Sequence, residues 1–221
     1  MKKAVLLILA LLNAAVTAVF IACSPVEIVP THWNFRGEAD AFTSKWLMMI
    51  MPFLAILVGI AAAVTEYLLS KRGKGKNTRY ARKIFLALFL LLTALSWLIV
   101  PLSMNNAVKI GSTVNAAMLL ILGAFIVYLG NLLPKVSQNG WIGVRTASTL
   151  SNETVWRKTH RLAGYLGVAT GLLMMALGVV NAVAGIEEPF LILISAAVML
   201  MTLAVIPAVY AAVLAKKLKN N

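Results

Sequence analysis

The sequence predicts an all-α membrane protein, a polytopic bundle of six transmembrane helices, and three observations support this fold class. The first is composition, because 61% of the 221 residues are hydrophobic and 12% are charged, about half the charged fraction of a typical soluble domain. The second is a set of six apolar stretches, each near the roughly 20 residues that a helix needs to cross the hydrocarbon layer. The third is the clustering of basic residues between these stretches, which is typical of membrane proteins.

The predicted spans favour helices over a β-barrel. None of them shows the long alternation of apolar and polar residues that marks the strands of an outer-membrane barrel. Every backbone polar group inside lipid needs a partner within the protein, and a helix supplies it locally. Pro52 and Pro207 lie inside two of the spans and are expected to bend them. The predicted spans cover residues 4–22, 46–69, 84–103, 112–133, 162–183 and 190–214.

The distribution of the 20 Lys and Arg residues predicts the orientation of the bundle. With six spans and the N-terminus inside, only Arg36, Lys45 and Lys109 fall outside. Because basic residues accumulate on the cytoplasmic side, we expect a multi-pass protein of the bacterial cytoplasmic membrane with both termini in the cytoplasm. The net charge of +13 is assigned to topology and to contact with membrane lipid. Direct binding of nucleic acid is not expected of so apolar a chain.

The first apolar stretch follows the basic start MKK and therefore has some features of a secretory signal. Its apolar run is longer than the core of a usual signal peptide, and Phe20 fits poorly before a lipoprotein cleavage site at Cys23. We therefore expect a retained helix. Cys23 is the single cysteine of the chain, so it offers no intrachain disulfide and no metal cluster.

The segments between the spans suggest how the chain is divided. Ser70 to Lys83 is expected to be a short, solvated, basic turn in which Gly73 and Gly75 end one helix. Pro134 follows the fourth span, where the helix should stop. On this basis we predict three units: an N-terminal two-helix unit with an extracytoplasmic loop, a middle helix pair, and a loop with the last two helices. These units cover residues 1–69, 70–133 and 134–221.

The fifth span carries a stripe of glycines at seven-residue spacing, nearly two helical turns, so the stripe lies on one face. Gly167 and Gly171 also have the small-xxx-small spacing that lets helices approach closely. The stripe predicts tight packing against another helix of the same chain, and a homodimer face is the alternative. Its members are Gly164, Gly171, Gly178 and Gly185.

Glu66 is the one acidic residue inside a predicted span, near the inner end of the second. Ionisable residues within a membrane often mark function. Lys71 and Arg72 follow it closely, so we expect an interfacial ion pair or snorkelling of the side chain, with a proton-linked role as the alternative.

The first extracytoplasmic loop contains IVPTHWNFRGEADAF. Pro30 stiffens this loop, and RGEAD predicts a turn in which Gly37 takes positive φ. We expect its aromatic residues to fold it into a cap at the headgroup layer. His32, Glu38 and Asp40 do not have the spacing of a dedicated metal motif, so no metal site is expected there.

The largest inner loop, Asn139 to Arg161, is the most polar long stretch of the chain. Ser151 or Asn152 can cap a helix that begins near Glu153. The detail of this segment exceeds what a lipid-anchoring turn needs. We therefore interpret it as a folded cytoplasmic element that serves a partner or a switch.

Three side chains are expected to hold this element together. Arg145 would use its planar guanidinium to bond carbonyls or an acid in a fork. Trp156 would pack under the loop, and His160 would bond within it. The basic Arg157 and Arg161 would instead point to phosphates or water.

The same segment, with the residues that flank it, closely resembles the signature of the SdpI family of bacterial membrane immunity proteins. The loop IVPTHWNFRGEADAF resembles the small N-terminal domain that often precedes that signature. The resemblance implies functional residues in both loops. In the cytoplasmic loop these are Gly143, Arg145, Thr146, Thr149, Trp156, His160 and Arg161, and in the extracytoplasmic loop they are Pro30, His32, Trp33, Gly37 and Asp40.

The resemblance implies an integral membrane protein that gives resistance to a secreted, membrane-active toxin. It also implies a signalling receptor that holds a small helix-turn-helix repressor at the membrane. Two alternatives stay open: a small-solute transporter or channel, and an orphan sensor of envelope stress. We expect no enzyme, because no nucleophile-and-base arrangement or zinc-protease motif is present in the sequence. No cofactor is expected either.

Overall fold

The computed structural model describes residues 5–34, 36–71, 75–185 and 190–220. Arg72 and Gly73, which entered the predictions above, lie outside these ranges. The helices and strands follow in chain order as α1 Val5–Ala22, β1 Ile28–Trp33, β2 Ala39–Ser44, a 3₁₀ helix Lys45–Met49, α2 Ile50–Lys71, α3 Gly75–Met104, α4 Ser112–Leu132, a 3₁₀ helix Leu133–Lys135, α5 Ala147–Ser151, α6 Glu153–Ala184, α7 Phe190–Leu200, a π-helical turn Met201–Val205 and α8 Ile206–Lys219.

Six helices within the described residues are long and apolar enough to cross a membrane, and each coincides with a predicted span. The prediction of an all-α polytopic membrane protein with six spans is confirmed. The order of the helices places β1 and β2 at one end of the bundle and the loop between α4 and α6 at the other. The spans are Val5–Ala22, Lys45–Leu68, Asn77–Met104, Ser112–Lys135, Glu153–Ala184 and Leu191–Lys219. The division into three units stays a prediction.

The segment predicted as a solvated turn after α2 is largely helical. Gly75 begins α3 instead of ending the preceding helix. Asn77 and Ala81, in the first turns of α3, are both 1% exposed. They are buried because they pack against the residues that follow α4, and Asn77 bonds Ser137, 60 positions away. The basic composition of the segment was therefore misleading.

The loop after α1 forms an antiparallel β-hairpin, which the sequence did not lead us to predict. β1 and β2 pair with a register irregularity on either side of His32. The connection between α3 and α4 extends this small sheet, since Ala39 N–H donates to Val108 O at 2.7 Å and Ile110 N–H donates to Gly37 O at 2.8 Å. The expected folded cap is thus a hairpin fixed to the bundle.

The glycine stripe of α6 packs against α4 of the same chain. A Cβ added to Gly171 would lie 2.6 Å from Gly123 O, and one added to Gly164 would lie 2.8 Å from Gly130 O. The two helix backbones therefore meet directly, as small residues allow in membrane bundles. Nothing lies within 4 Å of a Cβ added to Gly185. The predicted packing within one chain is confirmed, and Gly185 lies beyond it.

The prolines differ in their effect on the spans. Pro207 is the second residue of α8, and α8 directly follows the π-helical turn, so the last span is irregular near the predicted place. Pro52 lies in the first turn of α2, where its missing N–H removes no α-helical hydrogen bond. The interior bend expected at Pro52 is therefore replaced by a helix start. Pro101, which we did not single out, lies inside α3.

Glu66 forms the expected ion pair, but with a partner other than the two proposed. Its carboxylate contacts Arg82 of α3, and the Glu66 side chain is 13% exposed. Residues 66 and 71 lie about 140° apart around a helix, so Lys71 cannot reach the same side and instead lies over the ring of Tyr67. The pair joins α2 to α3.

Candidate functional site

The loop between α4 and α6, residues 136–152, is folded around one buried asparagine. We call these residues the α4–α6 loop. The Asn139 side-chain carbonyl accepts hydrogen bonds from the backbone N–H groups of Trp141 and Ile142, each at 2.8 Å. Its amide group donates to Ser137 O at 2.8 Å. Asn139 thus closes the turn at Gly140 from within.

A second asparagine ties the α4–α6 loop to α3. Asn77 donates through Nδ2 to Ser137 O at 3.1 Å and accepts through Oδ1 from Ser137 N–H at 3.0 Å. This pair of bonds satisfies both backbone groups of one loop residue. It fixes the position of the loop relative to the start of α3.

Local capping sets the helices on either side of Ser151. Thr146 and Thr149 form a reciprocal capping box at the start of α5. The Asn152 side chain accepts from Thr154 N–H at 2.8 Å and from Val155 N–H at 3.1 Å, so the predicted cap of α6 is confirmed. Gln138 donates to the carbonyl of Thr149 at 2.7 Å and joins α5 to the start of the loop.

Trp156 is the buried support of the loop, as predicted. Its side chain is fully buried, and its indole N–H donates to Val136 O at 2.8 Å. Its ring packs in an apolar cluster with Ala81, Val136 and Ile142. A buried tryptophan with its N–H satisfied combines a large apolar contact with a fixed orientation.

His160, on α6, forms hydrogen bonds through both ring nitrogens, one within α6 and one to the α4–α6 loop. Nδ1 lies 2.9 Å from Trp156 O, and Nε2 lies 3.0 Å from the backbone N of Val144. A carbonyl oxygen only accepts and an N–H only donates, so the ring is neutral with its proton on Nδ1. The imidazole is 1% exposed and stacks on Trp156 with a centroid distance of 4.0 Å. Both nitrogens are used structurally.

Gly143 allows the backbone to pass the imidazole. Its φ is +109°, a conformation that side chains rarely adopt. A Cβ at this position would lie 2.1 Å from His160 Nε2. Gly143, His160 and Trp156 therefore form one stacked unit.

Two arginines predicted for the site lie at its surface. Arg145 is exposed and donates through Nη1 to Gly140 O at 2.8 Å, so it bonds a carbonyl as predicted. The second, forked bond is not among its described contacts. Arg161 points away from the loop and bonds the hydroxyl of Tyr165 at 3.0 Å. Arg161, Arg157 and Lys158 are exposed and line one groove of about 590 Å³.

A largely apolar cavity of about 450 Å³ adjoins the α4–α6 loop. Its walls include Ile142, Gly143 and Arg145 on one side and Leu203 and Ala204 of the π-helical turn on the other. π-helical turns inside longer helices frequently occur at functional sites. This end of the bundle thus offers a basic groove at the start of α6 and an apolar cavity beside the α4–α6 loop, both suited to binding.

The residues predicted at the other end of the bundle hold the hairpin together. Pro30 is buried in β1, and Gly37 has φ +76°, so the predicted turn is confirmed. Trp33 donates to Ala107 O at 2.9 Å. His32 Nδ1 and Asp40 Oδ1 are 2.5 Å apart across the two strands.

The two groups of predicted residues form separate sites. His160 and His32 lie at opposite ends of the bundle, as the order of the helices requires. No group of three metal-ligating side chains is found within the described residues. The sequence reasoning missed Asn77, Gln138 and Asn139 as structural residues. Only Asn139 had a local signal, the Asn-Gly dipeptide, which is typical of turns.

Comparisons with known proteins give separate matches for the part of the chain with the hairpin and the part with the α4–α6 loop. Residues 135–211 match the model of the SdpI/YfhL protein family, and residues 8–56 match DUF1648, a domain of unknown function. The chain is 27% identical over 184 residues to the Immunity protein SdpI of Bacillus subtilis (strain 168), which covers 80% of this chain and 82% of that protein. No solved structure matches the chain. The predicted resemblance is confirmed by these matches, with the SdpI/YfhL match at residues 135–211 and the DUF1648 match before it at residues 8–56.

Proposed function

We propose that the chain is an integral membrane immunity protein that protects a bacterium against a secreted, membrane-active toxin. The observation that carries this proposal is the similarity to the Immunity protein SdpI, which extends over most of both chains. The two family-model matches also include the hairpin and the α4–α6 loop, so the similarity is not limited to apolar spans.

The orientation is part of the proposal. We place both termini in the cytoplasm of the cell and the protein in the cytoplasmic membrane, on the asymmetry of the basic residues. The hairpin then faces the outside, where a secreted toxin arrives. The α4–α6 loop and the basic groove at the start of α6 then face the cytoplasm.

Binding, not catalysis, is the activity we assign. His160 has both ring nitrogens committed to backbone groups and therefore has no free position for a proton-transfer role. The specific bonding of the α4–α6 loop supports a recognition element for a cytoplasmic partner. A small helix-turn-helix repressor is the partner that we propose, which would make the protein a signalling receptor as well.

The experiment is survival under toxin challenge. A toxin-sensitive strain would express the wild-type chain or its variants and be exposed to membrane-active toxins secreted by bacteria that carry an SdpI-type immunity gene. We expect the wild type to protect, relative to the empty vector. His160→Ala should lose most of this protection, because Val144 N–H loses its acceptor and the loop is destabilised by roughly 1–3 kcal/mol.

Two further variants make this experiment specific to the folded loop. His160→Gln keeps a side chain that can accept and donate, so it should recover part of the protection. Arg157→Lys keeps the charge of an exposed residue outside the loop and should protect like the wild type. If His160→Ala is present in the membrane at the normal level and protects fully, the α4–α6 loop is only an anchor.

A further inference from the structure

A groove of about 480 Å³ lies between the hairpin and the bundle, at the end opposite the α4–α6 loop. It lies between β1, the start of α4 and the start of α7. Most of its lining is apolar, and it has one fully buried polar side chain. Its lining includes Trp33, Ile110, Asn115, Met118, Ile192 and Leu193.

Asn115 is the feature of this groove that the fold does not explain. The residue is fully buried, and within the described part of the chain neither its Oδ1 nor its Nδ2 has a hydrogen-bond partner. A buried amide with both atoms unpaired is unfavourable, so such a group calls for an explanation. Asn115 is not needed to attach the hairpin to the bundle, because the indole N–H of Trp33 donates to Ala107 O instead.

The chemistry of Asn115 restricts what can occupy the groove. Oδ1 needs a donor, and Nδ2 needs an acceptor. A lipid acyl chain offers neither, and a lipid ester offers only acceptors. A peptide backbone offers one N–H and one C=O per residue, which matches both needs.

The remaining walls fit an apolar peptide. Met118 is an adaptable contact for irregular apolar side chains, and Ile192 and Leu193 add aliphatic surface from α7. His32 also lines the groove, and its ring contacts the carboxylate of Asp40. These two side chains therefore add no unpaired charge to the wall of the groove. An apolar peptide segment with unpaired backbone amides, as at an extended stretch or a helix end, suits this surface.

We propose that the groove binds an apolar segment of the secreted toxin, in which the backbone N–H of one residue donates to Asn115 Oδ1 and the backbone C=O of the same residue accepts from Asn115 Nδ2. This inference rests on the proposed function and its orientation, in which the groove opens on the outer side. It assigns Asn115 as the residue that recognises peptide and discriminates against lipid.

The first test leaves Asn115 unchanged. The full chain in phosphatidylglycerol and phosphatidylcholine nanodiscs would carry a photo-crosslinking amino acid at Met118. The probes are an acetylated pentapeptide amide of alternating leucine and alanine and its analogue with every backbone amide replaced by an ester. We expect the ester analogue to compete for crosslinking roughly fivefold more weakly than the amide peptide. This factor corresponds to the loss of one hydrogen bond, because an ester has no N–H to donate to Asn115 Oδ1. Equal competition by the two probes, or crosslinks to phospholipid that neither probe displaces, overturns the proposal.

The second test uses Asn115→Leu, which removes both amide atoms at similar volume. The preference for the amide probe should disappear in this variant, and protection against toxin should fall. Ser103→Ala is the matched control, because Ser103 is also fully buried with an unpaired side-chain oxygen but does not line the groove. Wild-type protection by Asn115→Leu would overturn the groove as the toxin site and leave the immunity function standing.

Failure of the two proposals can be told apart. If the wild-type chain gives no protection, the proposed function fails, and the amide and ester probes still decide whether the groove recognises peptide. If Asn115→Leu is absent from the membrane, the comparison of the probes on the wild-type chain decides instead.

Discussion

Replacing Gly143 with alanine is expected to cause the largest loss of stability of any single methyl addition in the α4–α6 loop. The new Cβ would lie 2.1 Å from His160 Nε2, and the backbone φ of +109° is strained for any residue with a side chain. Either the imidazole moves away from Val144 N–H and from the Trp156 ring, or the loop changes its path. We expect a loss of roughly 2–5 kcal/mol from backbone strain and the broken buried hydrogen bond.

The measurement is thermal or denaturant unfolding of the purified chain in detergent, with Gly140→Ala as the matched control. Gly140 lies in the same loop, and a Cβ added there meets nothing within 4 Å. The control should therefore unfold like the wild type. Equal stability of Gly143→Ala and Gly140→Ala would contradict the stacked arrangement of Gly143, His160 and Trp156.

Gly171→Ala is the second large expected effect, and it acts on the bundle instead of the loop. An added Cβ would lie 2.6 Å from Gly123 O and 2.7 Å from Val127 N, both of which are backbone atoms of α4. These atoms cannot move away without separating α4 from α6. Overpacking of this kind costs roughly 1–3 kcal/mol, and we expect it to exceed the gain of up to about 1 kcal/mol from the better helix propensity of alanine.

A graded series makes the second prediction specific. At Gly178 the nearest atoms would be 3.1 Å away, so Gly178→Ala should cost less than Gly171→Ala. Gly111→Ala meets nothing within 4 Å and should cost least. Unfolding temperatures in detergent would give the order. A series in which Gly171→Ala is as stable as Gly111→Ala is incompatible with direct contact of the two backbones.

The six spans could be predicted because their signals are local and strong. A run of about 20 apolar residues has few alternatives to a membrane-spanning helix. The cap at Asn152 and the turn at Gly37 could be predicted for the same reason, since each depends on residues close in sequence. The glycine stripe of α6 indicated close packing, although it could not identify α4 as the helix it meets.

The features that were missed depend on distant partners. Asn77 looked like part of a solvated basic segment, but its partner Ser137 is 60 residues away. Glu66 pairs with Arg82 from a neighbouring helix and not with its nearest basic residues in sequence. The hairpin was hidden because β1 contains Pro30 and lacks a clear alternation, and its pairing also depends on the α3–α4 connection.

The stacked unit of the α4–α6 loop could be predicted in part. The resemblance to a known signature marked Gly143, Trp156 and His160, and the expectations that Trp156 packs under the loop and that His160 bonds within it are confirmed. Their mutual geometry could not be derived from the sequence. The imidazole of His160 occupies the space that a side chain at position 143 would need, and only the folded structure shows this contact.

The central claim is that the hairpin and the α4–α6 loop lie on opposite sides of the membrane, with the loop in the cytoplasm. Cysteines introduced at the exposed positions Ala41 and Ala147, in a Cys23→Ser background, would be labelled with a membrane-impermeant maleimide in intact cells. We expect Ala41→Cys to be labelled in intact cells and Ala147→Cys to be labelled only after permeabilisation. Labelling of Ala147→Cys in intact cells would contradict this claim.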